Sequence, residues 1–180
     1  FNLGTTQYSA SKFDEASVSF TTTLKYNKNY KEAYYYRGMC KAKQKEYLKA
    51  IEDYNKVLKK DSFNVPFLKQ RALSLKALHR FQEALDDLNQ CIDLDPYNGD
   101  LYKERALLKA EMKDYDGAIS DYNAVQKLLP AYKMVHYKKG ELYVLLDDFE
   151  FACEEFELAM KNGIMVADRP YKKYCLKTTR

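Results

Sequence analysis

The sequence predicts an all-α chain, a right-handed α-solenoid of five helix-turn-helix units closed by a C-terminal capping helix. Three observations carry that expectation. Residue types recur at a fixed interval of 34, each copy is a pair of amphipathic helical segments, and small and large side chains alternate in register between copies. Gly38 has counterparts at Gly4, Ala72, Ala106 and Gly140, and Ala50 at Ala16, Ala84, Ala118 and Ala152. Tyr47 is matched by Phe13, Phe81, Tyr115 and Phe149, and Tyr54 by Phe20, Leu88, Tyr122 and Phe156. A period of this length marks a stacked array, in which no single unit buries its apolar face alone.

Within the copy 31–64, the stretch Lys31–Lys43 contains no helix breaker other than Gly38. Tyr34 and Tyr35 lie one turn from that glycine, the pattern of a close helix crossing. The stretch Tyr47–Lys60 places Tyr47, Ala50, Ile51, Tyr54, Val57 and Leu58 on one helical face. A small residue on the first helix and an alanine on the second let the two axes approach, and the aromatic pair closes over the contact. The copies run 1–30, 31–64, 65–98, 99–132 and 133–166, the first shortened at its start. Glycine is missing from the turn inside each unit, so those turns are expected to close on polar residues such as Ser11, Lys113 and Asp147. Asn162-Gly163 then reads as a helix stop. Residues 167–180 are the expected cap, with a helix over Arg169–Lys177, Asp168 as its N-cap and Pro170 in its first turn.

Composition narrows the function classes. Of 180 residues, 46% are hydrophobic and 31% charged, which suits a water-exposed helical array. Tryptophan is absent, and the 17 tyrosines supply the large packing surfaces. The net charge of +4 is small and dispersed, which argues against a nucleic-acid partner. No apolar run is long enough for a membrane span. Because the sequence opens on Phe1 inside the first unit, its start is expected to be missing, and no targeting segment is inferred either way.

The spacing aromatic-x3-small, then aromatic-x2-Ala-x3-aromatic, then a turn at Asp95-Pro96 or Leu129-Pro130, resembles the tetratricopeptide repeat (TPR). The likeness covers nearly the whole chain. It departs where Lys28, Ser62 and Ile164 replace the proline between units. The resemblance implies a non-catalytic scaffold for protein–protein interaction, whose concave face is lined by the first helix of each repeat. Carried over position by position, that face would comprise Tyr35, Met39 and Lys43, then Lys69, Leu73 and Lys76. Lys103 and Leu107 follow from the fourth repeat, and Tyr137, Glu141 and Val144 from the fifth. An apolar floor with lysines in its middle suits a protein or extended peptide carrying acidic and apolar side chains. The carboxylate clamp of chaperone-binding TPR domains is not expected: its positions hold Phe1, Thr5, Tyr36, Pro66 and Gln70, and shifting the register does not restore five donors.

Two further features remain. Arg37, Arg71, Arg105 and Lys139 share one repeat position, and Asp53, Asp87, Asp121 and Glu155 another. Each base can pair with the acid of its own repeat or of the preceding one, and the pairs read as a packing register rather than a ligand ladder. The second feature is cysteine. Cys40 and Cys91 fall at interior positions and read as small apolar side chains. The run from Ala152-Cys153 through Glu154, Glu155 and Phe156 to Tyr174-Cys175 resembles the closing segment of many bacterial TPR proteins. That resemblance implies a Cys153–Cys175 disulfide stapling the cap, worth about 3 kcal/mol. A pair of reduced, buried thiols is the other reading. The first points to a periplasm or cell envelope, the second to cytoplasm.

Nothing points to catalysis, a metal or a cofactor. His79 falls in a turn, and His136 shares the column of Tyr34, Leu68 and Tyr102, where a packing role is expected. No cluster has metal-ligand spacing, and no glycine-rich phosphate loop or activated nucleophile is present. The alternative to a free-standing scaffold is a structural or regulatory segment of a larger, envelope-associated multidomain protein.

Overall fold

A computed structural model describes residues 1–176, and every regular element among them is helical. The chain divides into two compact units, Phe1–Asp95 and Pro96–Arg180. The first holds α1 (Asn2–Ser9), α2 (Phe13–Tyr26), α3 (Lys31–Lys43), α4 (Tyr47–Leu58), α5 (Val65–Ala77) and α6 (Phe81–Leu94). The second holds α7 (Gly99–Glu111), α8 (Tyr115–Leu128), α9 (Val135–Leu145), α10 (Phe149–Lys161) and α11 (Asp168–Tyr174), with a short 3-10 turn over Met165–Ala167. Within each unit every helix packs against the next in sequence. The odd-numbered helices α1 to α9 are the first helices of the repeats.

The packing logic expected from the small/aromatic columns is present. Gly4 and Gly140 lie under the rings of Phe20 and Phe156, where an added Cβ would sit 2.7 and 2.6 Å from ring carbons. Gly38 lies under Tyr54 in the same way. Ala16, Ala50, Ala84, Ala118 and Ala152 are all fully buried. The backbones approach until only a hydrogen or a methyl group separates them, and the aromatic ring fills the remaining depth.

The five turns within repeats close as one motif. Ser11, Lys45, His79, Lys113 and Asp147 all have φ between 57° and 64°, the left-handed region. In the second repeat the Lys45 amide donates to the Ala42 carbonyl at 3.0 Å and the Glu46 amide to the Lys41 carbonyl at 2.8 Å. That is the Schellman pairing, which satisfies carbonyls a helix end leaves open. The other four turns repeat it, and Gly163 (φ 84°) makes it again after α10. A side chain in this conformation costs about 1 kcal/mol that glycine avoids. Lys45→Gly should therefore raise the urea midpoint, by the equivalent of about 0.5 kcal/mol once glycine's added unfolded entropy is deducted.

Tyr54 is the one described residue with a buried side-chain polar atom lacking any hydrogen-bond partner. Its hydroxyl has given up water for nothing, and burial pushes its pKa far upward. The same column holds Phe20 and Phe156. Tyr54→Phe is expected to stabilise the first unit by about 1 kcal/mol, read as a higher denaturation midpoint.

In the fifth repeat the first helix begins at Val135, preceded by a turn in which the Tyr132 and Lys133 amides donate to the Leu129 and Ala131 carbonyls. One expectation needs correction. At the cap, Asp168 is the first helical residue instead of the N-cap, and its carboxylate accepts from Lys172 at 2.8 Å. The cap helix ends at Tyr174, and Lys177, expected within it, lies outside the described residues.

Candidate functional site

The charged columns resolve in favour of pairing within one repeat. The Arg37 Nε and Nη2 donate to Asp53 Oδ2 and Oδ1 at 2.9 and 2.6 Å, and Arg71 grips Asp87 in the same fork at 2.8 and 2.7 Å. Arg105 holds Asp121 likewise, and Lys139 reaches Glu155 at 2.7 Å. The remaining donor reaches back one repeat: Arg37 to Thr21, Arg71 to Asn55 and Lys139 to Asn123. Each of these three bases therefore ties its own second helix to the preceding one, and Asp53, Asp87 and Asp121 are buried. These groups set the register between repeats. His136 joins this ladder, its Nδ1 lying 2.7 Å from Glu155 Oε2. It is a packed, hydrogen-bonded residue.

The two remaining thiols are equally structural. Cys40 and Cys91 are fully buried, and burial pushes their pKa values up to about 11 and about 12. A buried thiol favours the protonated native form. Its stabilising effect is complete below the unfolded thiol value near 9, then lost as pH rises through the native values. Both should resist iodoacetamide at pH 8 in the native chain and react fully in denaturant. The unfolding midpoint should fall above about pH 9.

Seven of the eleven residues expected on the first-helix face line two pockets, one in each unit. In the first, Met39, Ala42 and Lys43 of α3 face Gln70, Leu73 and Ser74 of α5, with Tyr8 and Tyr47 at the sides, around about 320 Å³. Tyr35 is packed instead, edge-on to Phe67 with ring centres 5.2 Å apart. In the second unit, Leu107, Tyr137, Glu141 and Val144 line a pocket of about 580 Å³. Its other walls are Lys138 and Leu145 of α9 and Arg169, Pro170, Lys173 and Tyr174 of α11.

The lysines depart from the expected basic lining. Lys103 bonds Asp100 and lies 5.6 Å above the Tyr132 ring, and the Asp100 carboxylate holds its pKa above the usual range. Lys69 and Lys76 line neither pocket, and only Lys43 does. Gln70 and Lys138, which share one repeat column and are not among the expected lining residues, line one pocket each. The cap helix α11, expected as a cover, also contributes lining residues. The Cys153 and Cys175 sulfurs lie 2.04 Å apart, joining α10 to the end of α11. A larger cavity of about 650 Å³ lies between α4 and α6, lined by Glu52, Asn55, Lys56, Ser62, Arg71 and Gln90 among others. Its floor belongs to the register ladder, and Leu58 is its sole apolar side chain, so it offers little to a partner.

Among the described residues no group of histidine, cysteine and carboxylate side chains could hold a metal. No described helix is long and apolar enough to cross a membrane.

Residues 32–64 match the family model of the tetratricopeptide repeat, and the chain has the fold of tetratricopeptide-repeat proteins. Among solved structures, MamA residues 41 to the end from Desulfovibrio magneticus RS-1 aligns over 90% of this chain and 92% of its own, with 21% identity and a TM-score of 0.84. YrrB, described as a TPR protein with an unusual peptide-binding site, covers 95% and 89% at 21% identity and a TM-score of 0.79. TTC0263, a thermophilic TPR protein of Thermus thermophilus, covers 97% and 96% at 19% identity and a TM-score of 0.69. No curated protein sequence matches the chain.

Proposed function

We propose that this chain is a non-catalytic scaffold that binds a protein or extended peptide on the side chains of its first helices. TPR proteins as a class mediate protein–protein interaction, and one structural relative is described by its peptide-binding site. The observation that carries the reading is the separation of roles within each repeat. Side chains that recur are consumed by packing or by the buried ion pairs. The first-helix positions of Met39, Leu73, Leu107 and Glu141, which vary between copies, border open pockets with mixed apolar and polar walls. Such pockets suit side chains of an extended segment whose backbone needs no sheet edge to pair with.

Selection of binders from a random peptide display library against the folded chain tests this. Peptides held by the first unit's pocket should lose about tenfold or more in affinity for Met39→Glu, those held by the second unit's pocket for Val144→Glu, and both should keep it for Glu52→Lys in the cavity between α4 and α6. The opposite pattern would overturn the assignment.

A further inference from the structure

The larger first-helix pocket differs from its counterpart because the cap supplies one wall. Its floor is apolar, with Leu107, Leu142 and Phe156, and α9 forms the facing wall. Of the four charged side chains around it, Lys138 and Glu141 neutralise each other at 2.8 Å. Arg169 and Lys173 have no carboxylate partner among the described residues. Lys173 instead donates to the Tyr174 hydroxyl at 2.7 Å and lies 4.5 Å above that ring. Lys172 is engaged by Asp168 and does not line the pocket. The cap wall therefore presents two cations with no carboxylate partner among the described residues, beside an apolar floor. Carboxylates that meet them there gain charge-assisted hydrogen bonds at a partly water-excluded edge.

The wall is held to α10 by a few side-chain contacts and one covalent link. At seven residues α11 is too short to be helical alone, and it packs on α10 and the turn before it. Tyr171 adds a hydrogen bond to Glu157 at 2.8 Å. Tyr174 stacks on Phe149 of α10 with ring centres 5.6 Å apart, and Cys175 is bonded to Cys153 on the same helix.

We propose that the pocket between α9 and α11 anchors an acidic peptide segment bearing an aliphatic or aromatic side chain. The apolar side chain enters over Leu107, Leu142 and Phe156. Its flanking carboxylates are received by Arg169 and Lys173. The Cys153–Cys175 disulfide keeps that wall in place, so the pocket's affinity depends on the bond. This rests on the first-helix face being the binding face, and adds to it the partner's chemistry and the cap's role.

The test is fluorescence anisotropy on the full chain with fluorescein-labelled peptides of alternating glutamate and leucine or phenylalanine, and lysine-for-glutamate peptides as controls. The acidic peptides should bind and weaken with added salt, and the lysine controls should not. The exposed pair Arg169→Glu with Lys173→Glu should reduce affinity tenfold or more with the melting temperature unchanged. Cys175→Ser, measured well below its melting temperature, should reduce it several-fold. Equal binding of the lysine controls, or no binding of the acidic peptides, would overturn the proposal. Unchanged affinity in the charge-reversed variant would do so too. If Met39→Glu abolished binding while charge reversal did nothing, the cap pocket would be rejected and the first-helix face would stand. If both variants bound like the native chain, both readings would fall. Native affinity in Cys175→Ser would remove the disulfide from the account.

Discussion

Phe156→Ala is expected to destabilise the second unit by about 4 kcal/mol, the upper range for a buried aromatic truncated in a core. The ring is fully buried and rests directly on Gly140, so the facing position has no side chain to swing into the void. Its other buried neighbours include Ala152, Ala159 and Ala167, which are equally unable to fill it. The cavity would stay open, and the loss would exceed the transfer term alone. The third repeat shows what a compatible pair looks like, because there Ala72 occupies the glycine position and Leu88 the aromatic one. Phe156→Leu combined with Gly140→Ala should therefore recover most of the stability that Gly140→Ala alone loses to its clash with the ring. Urea titration followed by far-ultraviolet circular dichroism on the four variants measures the coupling, which should exceed about 1 kcal/mol.

Arg71→Ala should cost about 3 kcal/mol, distinctly more than Arg37→Ala at the equivalent position. Both arginines hold a buried aspartate in a two-pronged grip. When Arg37 is lost, Lys41 remains on Asp53 at 2.8 Å. In the third repeat that second position is Leu75, so no other cation reaches Asp87 among the described residues. The charge would be left desolvated and unpaired, which is the expensive outcome. Replacing both partners, as Arg71→Met with Asp87→Leu, should return stability to within about 1 kcal/mol of the native chain, because the pair's value is mostly the avoidance of a lone charge. Equal losses in Arg71→Ala and Arg37→Ala would show that Lys41 does not compensate.

The same residues explain how much was legible in advance. Gly38, Ala50 and Tyr54 announce the repeat because stacking imposes the same steric demand in every copy. The turns at Ser11, Lys113 and Asp147 were likewise foreseeable, but their left-handed backbone was not, because no glycine marks it. The partners of Arg37 and Arg71 were not, because a repeat offers two geometrically similar acids and spacing alone does not choose between them. The lining of the pockets was half legible. Met39, Leu73 and Leu107 follow from their repeat position, whereas Lys103 carries the right position and a local partner, Asp100, that takes it out of play. Arg169 and Lys173 were hidden for another reason: α11 lies outside the period, so no repeat position assigns its faces.

The central claim is that partner binding belongs to the first helices and the cap, and hydrogen exchange read by mass spectrometry tests it most directly. With a selected peptide at saturating concentration, protection should rise in α3 and α5 if the first unit's pocket holds it, or in α7, α9 and α11 if the second unit's pocket does. It should leave the exposed sides of α4, α6, α8 and α10 unchanged. Protection concentrated around Glu52, Lys56 and Gln90 between α4 and α6, with none on Met39, Leu107 or Lys173, would contradict it.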